Sequence, residues 1–335
     1  RSKGSVDAGT AITDQMELEK KRGISIRTAP VSFLWKNQTI NLIDTPGHAD
    51  FVSEVERSLY IMDSAILVLS AVEGVQSHTY LLWHALKSMK IPTIIVINKT
   101  DRQGADFRKV VSQLIKELKI QPAILHNPVD EGESGANYTD LWDEEGGEDE
   151  LRTITLEALS ANDDELMERY LEGANFSRKE IITNIKAQIK DNNVVPILSA
   201  VAKNDIGTKA LMDAMIEVLP PSAPSLTNSE PAATVFKVEH DPVFGRLAHV
   251  RLFNGKLTAK DVVYNHSQQT EMKIATIKKN QTSKYVDTGV IECGDIGILS
   301  GMPDIRPGDI LGNPAGVRAK KQLQTPVLTI QIHPE

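Results

Sequence analysis

Residues Ile40–His48 read INLIDTPGH: an apolar run of strand length that closes on an aspartate, a proline, a glycine and a histidine. A polar turn directly after a buried strand sits at the strand's carboxyl end, where ligands bind in open α/β sheets. The residue types suit phosphate chemistry. Asp44 can hold Mg²⁺ directly or through water, the Gly47 N–H can face a phosphate oxygen, and His48 can orient a water for in-line attack. D-x-x-G alone is a weak signal, because many turns contain it. The five-residue form Asp44-Thr45-Pro46-Gly47-His48 after such a strand is far more specific.

A second apolar run, TIIVI at Thr93–Ile97, leads into Asn98-Lys99-Thr100-Asp101. The carboxylate of Asp101 can accept two hydrogen bonds from guanine, at N1–H and the exocyclic amine. Adenine has an acceptor at N1 and no amine there, so it would leave that carboxylate unpaired, a mismatch that sites of this kind reject strongly. The Lys99 stem can lie over a base, and Asn98 can tie neighbouring loops. Alone, N-K-x-D is commonly just a surface turn; in order behind D-T-P-G-H it points to guanine.

Between and around these motifs the chain alternates strand runs with amphipathic helices. Val31–Trp35 and Thr39–Ile43 read as a hairpin turned at KNQ. AILVLS (65–70), TIIVI and VVPIL (194–198) read as parallel strands covered on both faces. Phe107, Val110, Val111, Leu114, Ile115 and Leu118 recur at helical spacing, as do Leu211, Met215 and Leu219. The expectation is a doubly wound α/β domain over residues 1–222. A Pro/Ser linker follows at 223–233. TVFKV, RLAHVRLF, DVVYN, EMKIATI and DIGILS then predict a small antiparallel β-barrel over 234–316, and residues 317–335 read as the start of a third domain.

The chain has 335 residues and a net charge of −8, which at first disfavours a nucleic-acid partner. Ten of its acidic residues lie between Asp130 and Glu150 with no lysine or arginine among them, so the remainder is slightly positive. That stretch reads as a solvated, mobile insertion over about 127–160. The single cysteine, Cys293, has no partner for an internal disulfide, and no apolar run approaches the ~20 residues that span a bilayer. The reading is a cytoplasmic monomer without membrane association. Trp83 and His84 read as packing residues; His240, His249 and His266 lack zinc-like spacing. Arg246, Arg251 and Lys256 could reach phosphates or simply line a solvated strand face.

The motifs D-T-P-G-H and N-K-T-D, with GSVD, RSL, LLWHALKSMKIPTIIVINKTD and NDDELMERYLEG, resemble translational GTPases of the elongation factor G superfamily. Within it they most resemble the tetracycline-resistance ribosomal-protection proteins. The resemblance implies GTP or GDP and Mg²⁺ as ligands, the ribosome as partner, and nucleotide contacts at Asp44–His48 and Asn98–Asp101. It implies His48 as the catalytic residue. Ser25, where the family usually has threonine, and Asp44 are implied as metal ligands. It also implies a guanine contact in the loop after the last strand. Counting from Pro196 to Gly207 places that pair on Val201–Ala202, followed by Lys203, rather than on Ser199–Ala200.

Gly4–Asp14, GSVDAGTAITD, misses the pattern G-x-x-x-x-G-K-[ST] by one residue. A phosphate loop needs a strand before it, and only RSK precedes Gly4. The family places a segment of this kind just upstream of E-x-x-R-G-I, which is ELEKKRGI here. Gly4–Asp14 therefore resembles a lead-in to switch I, and a phosphate loop is expected upstream of Arg1. Two other readings stay open: an elongation factor G-like translocase or paralogue with no resistance role, and a catalytically silent binding fragment.

Overall fold

A computed structural model describes residues 17–22, 24–143, 149–222, 230–281 and 284–318. Gly4–Asp14, most of the linker and the strand-like run PVLTIQIHPE lie outside the described residues. Along the chain the helices are α1 (Glu17–Arg22), α2 (Val52–Leu59), α3 (Ser77–Ser88), α4 (Phe107–Leu118), α5 (Glu150–Ser160), α6 (Asp164–Leu171), α7 (Arg178–Gln188) and α8 (Thr208–Val218). The first strands are β1 (Ala29–Trp35), β2 (Gln38–Asp44), β3 (Ala65–Ser70), β4 (Thr93–Asn98), β5 (Pro122–Ile124), β6 (His126–Val129), β7 (Asn137–Asp140) and β8 (Val195–Ala200). After the linker come β9 (Ala232–Asp241), β10 (Gly245–Asn254), β11 (Lys256–Thr258), β12 (Val262–Asn265), β13 (Thr270–Lys273), β14 (Ile277–Gln281), β15 (Lys284–Asp287), β16 (Val290–Glu292), β17 (Ile296–Leu299) and β18 (Ile310–Gly312).

The chain forms two units. Residues 62–221 build an α/β unit on the parallel order β3-β4-β8-β5. Its core joins Ile94, Ile95 and Ile97 of β4 to Phe107, Val110, Val111 and Leu114 of α4, and to Ile197 of β8. The helical spacing of those four α4 residues is what turns one face to the sheet, and the Asp106 side chain caps the helix by accepting the Lys109 N–H at 2.8 Å. β4 is covered on both faces, as its continuous apolar run predicts. β3 is not. It is an edge strand of the described sheet, and Val68 is 59% exposed, so AILVLS is apolar on a face that nothing described covers.

The second unit combines the described residues up to Ile61 with those from Ser222 onward. Its sheet runs β13-β12-β18-β9-β10-β17-β14-β1-β2, antiparallel except where β1 meets β14, and β11–β16 form a separate pair. The β1–β2 hairpin, expected within the α/β domain, pairs here with β14. Ser32 pairs with Gln281, the Asn280 side chain donates to Pro30 O at 2.6 Å, and Ile43 packs on Ile61, Phe236 and Ile296. Sheet partners of this kind leave no trace in local periodicity. The turn is also tighter than expected. Lys36 and Asn37 alone make it, at φ +44° and +64°, and Gln38 already pairs with Trp35. EMKIATI is not one strand: Ile274 N–H goes to Asp261 O and Ala275 N–H to Ser300 O, where the chain leaves β12 for β17.

The acidic segment is not a solvated insertion in its described part. β6 and β7 form an antiparallel hairpin, Ala136, Leu141 and Trp142 are buried, and Asp149 caps α5 through the Leu151 N–H at 2.7 Å. Asp130, Glu133, Asp143 and Glu150 are exposed, while the buried apolar residues anchor the backbone. Trp83 packs as expected, its indole donating to Leu118 O at 3.1 Å, whereas His84 is exposed. Arg251, read as reaching phosphates or lining a wet face, is buried and donates to Ser222 Oγ at 2.8 Å. His249 is buried beside Glu239, Nε2 to Oε1 3.1 Å. Arg246 and Lys256 are exposed.

Candidate functional site: two loops at the ends of adjacent strands

Two loops leave adjacent parallel strands of the α/β unit. β4 ends at Asn98 and β8 at Ala200, paired in register, so the residues that follow emerge side by side. The Asn98 side chain ties them: its Oδ1 accepts the Ala202 N–H at 3.0 Å. Thr100 is buried, and its N–H and Oγ1 both reach Ala200 O at 3.4 Å. Lys99 is exposed at φ +66°, a left-handed conformation that directs the next two residues back toward the β8 loop. Asp101 is half-buried.

The β8 loop is closed on itself. Val201 and Ile206 exchange both backbone hydrogen bonds, at 3.0 and 3.2 Å, and Asn204 N–H returns to Val201 O at 2.9 Å. Gly207 then starts α8 at φ +82°, where a Cβ would stand 2.6 Å from Ser199 O. Only glycine fits there, because the backbone must pass the end of β8 this closely. Ser199 and Ala200 lie inside β8 with Ser199 buried, while Ala202 and Lys203 stand exposed in the loop. The structure thus brings Asn98 and Ala202 together, and Val201 contributes backbone bonds rather than a hydroxyl.

The remaining predicted residues belong to the other unit. Asp44 ends β2 and pairs with Ala29; Thr45, Pro46 and Gly47 follow, with Pro46 buried and Gly47 exposed. Nothing lies within 4 Å of where a Gly47 Cβ would be, so this backbone is open to approach. His48 is half-exposed, its Nδ1 accepting the Asp50 N–H at 3.2 Å with Asp50 Oδ2 at 3.4 Å. Ser25 is half-buried in the segment after α1, and the buried Glu19 carboxylate accepts the next two N–H groups, Ile26 at 2.9 Å and Arg27 at 3.0 Å. Among the described residues no three His, Cys, Asp or Glu side chains cluster to hold a metal ion. Ser25 and Asp44 offer the hard oxygen donors that Mg²⁺ takes, and that ion is commonly held by one or two protein oxygens plus phosphates.

Residues 1–221 match the model of the elongation factor Tu GTP binding domain. The chain belongs to that family. It is 37% identical over 312 residues to the tetracycline resistance protein TetP of Clostridium perfringens, covering 93% of this chain and 47% of the relative. It is 31% identical over 375 aligned positions to elongation factor G 1 of Treponema denticola, covering 99% of this chain and 55% of the relative. The chain thus spans about half the length of the curated relatives it matches. A crystal structure of a protein from Thermus thermophilus superposes with a TM-score of 0.78 over 92% of this chain and 49% of its own, at 24% identity, which shows the fold. A GTPase-type parallel sheet followed by an antiparallel sheet unit, the architecture expected from the motifs, is therefore shown.

One functional feature escaped the sequence reading altogether. Gly132, at the tip between β6 and β7, donates its N–H to Thr100 O at 2.8 Å, and the buried His126 holds its Nδ1 3.2 Å from Ser199 O. A lone histidine beside an acidic stretch gives no pattern that could have found this contact.

Proposed function

We propose that this chain carries the guanine-nucleotide site of a ribosome-dependent translational GTPase. The observation that supports it best is the Asn98–Ala202 hydrogen bond, which sets N-K-T-D and V-A-K side by side. In this reading Asp101 accepts from guanine N1–H and the exocyclic amine, and the Lys99 stem covers the base. Guanine's O6 is met by backbone N–H in the Ala202–Lys203 loop. Thr45 and Pro46 shape the turn that presents the Gly47 N–H to a phosphate oxygen. Ser25 and Asp44 would hold Mg²⁺, which supplies charge neutralisation at the phosphates when bound. His48 lies next to Gly47 and orients the attacking water, the ribosome aligning it for hydrolysis.

GDP and GTP, the ribosome, a cytoplasmic location and a monomeric state belong to this proposal; no described helix is long and apolar enough to cross a membrane. Between the two relatives named above, a protective role is favoured by the higher identity and a translocase role by the greater coverage. Displacement of a fluorescent guanine nucleotide from the longest form of the protein that its gene encodes tests the site. GDP is expected to compete at least about 10³-fold better than ADP, the discrimination typical of a site built to hydrogen-bond a group the analogue lacks. Equal competition by the two would overturn the reading.

A further inference from the structure

The bonds described above between the two loops include two that are 3.4 Å long, Thr100 N–H and Oγ1 to Ala200 O. A second support comes from the hairpin that the acidic segment builds. We propose that the β6–β7 hairpin is a strut that fixes both loops from behind, with His126 and Gly132 as positioning residues for base recognition. The inference rests on the guanine-site reading.

Each end of the hairpin serves one loop. At its tip, Gly132 N–H bonds Thr100 O at 2.8 Å, in the middle of N-K-T-D, while Glu131 Oε1 accepts the N–H of Phe107, the first residue of the helix that follows, at 2.6 Å. Gly132 needs its φ of +86°, and a Cβ there would find only Arg102 O, at 3.9 Å. At its base, His126 Nδ1 meets Ser199 O. A carbonyl only accepts, so Nδ1 carries the proton. The ring is fixed in place, stacked on Tyr138 at 3.9 Å between centroids and 13° from parallel. Burial, the largest influence on it, lowers its pKa to about 4, so the ring is neutral near pH 7 and holds a single tautomer. Asp140 then takes Arg178 Nε at 2.8 Å, and the same guanidinium reaches Glu217 of α8 at 3.0 Å. The hairpin therefore bonds to the loop and to the following helix at the N-K-T-D side, and to the strand end and, through Arg178, the following helix at the V-A-K side.

Three measurements test this. In the wild type, a His126 Nδ1–H resonance that exchanges slowly with water is expected; a ring protonated only at Nε2 overturns the proposal. His126→Phe keeps the stack and removes the donor, whereas His126→Asn returns an N–H near the same place. Amide exchange at Thr100–Arg102 and Val201–Lys203 should quicken about tenfold in His126→Phe, which corresponds to ~1.4 kcal/mol, and return to within about threefold of wild type in His126→Asn. Dissociation of a fluorescent GDP analogue should follow the same pattern. Unchanged exchange in both loops, or equal losses in the two variants, contradicts the strut. If the phenylalanine variant does not fold, His126→Leu gives the same comparison. A wild type that binds no guanine nucleotide would refute the site reading alone, since the exchange and resonance measurements decide the strut without it.

Discussion

Replacing Gly207 by alanine should cost far more than replacing Gly104, although both sit at nearly the same φ, +82° and +84°. At Gly104 nothing stands within 4 Å of the added Cβ, so only the left-handed conformation is charged, about 1–2 kcal/mol. Restriction of the unfolded chain returns about 0.4–1 kcal/mol of that. At Gly207 the new carbon would lie 2.6 Å from Ser199 O, 3.0 Å from Ala200 Cβ and 3.1 Å from Ala200 Cα, and two of these are backbone atoms. The end of β8 must shift, an overpacking cost of about 1–3 kcal/mol. The gap between the variants is therefore about 2 kcal/mol, or roughly 4–8 °C for a unit of this size. That shift also moves Ala202 off Asn98, so guanine nucleotide affinity should fall in Gly207→Ala and hold in Gly104→Ala. Scanning calorimetry on the transition of the α/β unit, beside a nucleotide titration, reads both. Equal melting shifts in the two variants would refute the close-approach argument.

Other outcomes follow from single contacts. Asn98→Ala removes the side-chain tie between the two loops, and GDP affinity should drop about tenfold, as expected when a bond that also orients the second loop is lost; binding within twofold of wild type would show that the tie is not used. His48→Ala should lower ribosome-stimulated single-turnover hydrolysis by about 10²–10⁴-fold with GTP affinity kept within a few-fold, the pattern of a group that acts only in the transition state. Loss of affinity with turnover preserved would instead make it a packing residue. Because the folded-state pKa of His126 is depressed from 6.5 to about 4, the unfolded chain takes up a proton first as the pH falls. The stability difference between wild type and His126→Asn, measured in urea, should be level above pH 6.5 and decline by about 3 kcal/mol toward pH 4; a level difference throughout contradicts the buried neutral ring.

Much of the α/β unit was legible because its signals are local. Continuous apolar runs gave β4 and β8, the spacing of Phe107 to Leu118 gave α4, and the polar tetrapeptide after β4 marked a strand end. The turn into α8 was marked by Gly207, whose backbone conformation fixes how the chain leaves the second loop. Three features were hidden. The apolar AILVLS run gave no sign that β3 would be an edge of the described sheet, since an edge is defined by what stands beside it. The pairing of Ser32 with Gln281 joins strands separated by most of the chain, beyond the reach of any periodicity. The acidic segment hid its hairpin because charge dominates its composition, while the residues that anchor it, Ala136, Leu141 and Trp142, are few and scattered.

Base recognition is proposed to rest on Asp101. Asp101→Asn replaces a double acceptor with a side chain that can donate to the oxygen xanthine carries where guanine has its amine. Competitive titration of the longest form of the protein with GTP and xanthosine triphosphate measures the preference directly. The wild type is expected to favour GTP, and Asp101→Asn to reverse the order. An Asp101→Asn variant with the wild-type preference intact would show that this carboxylate does not read the base.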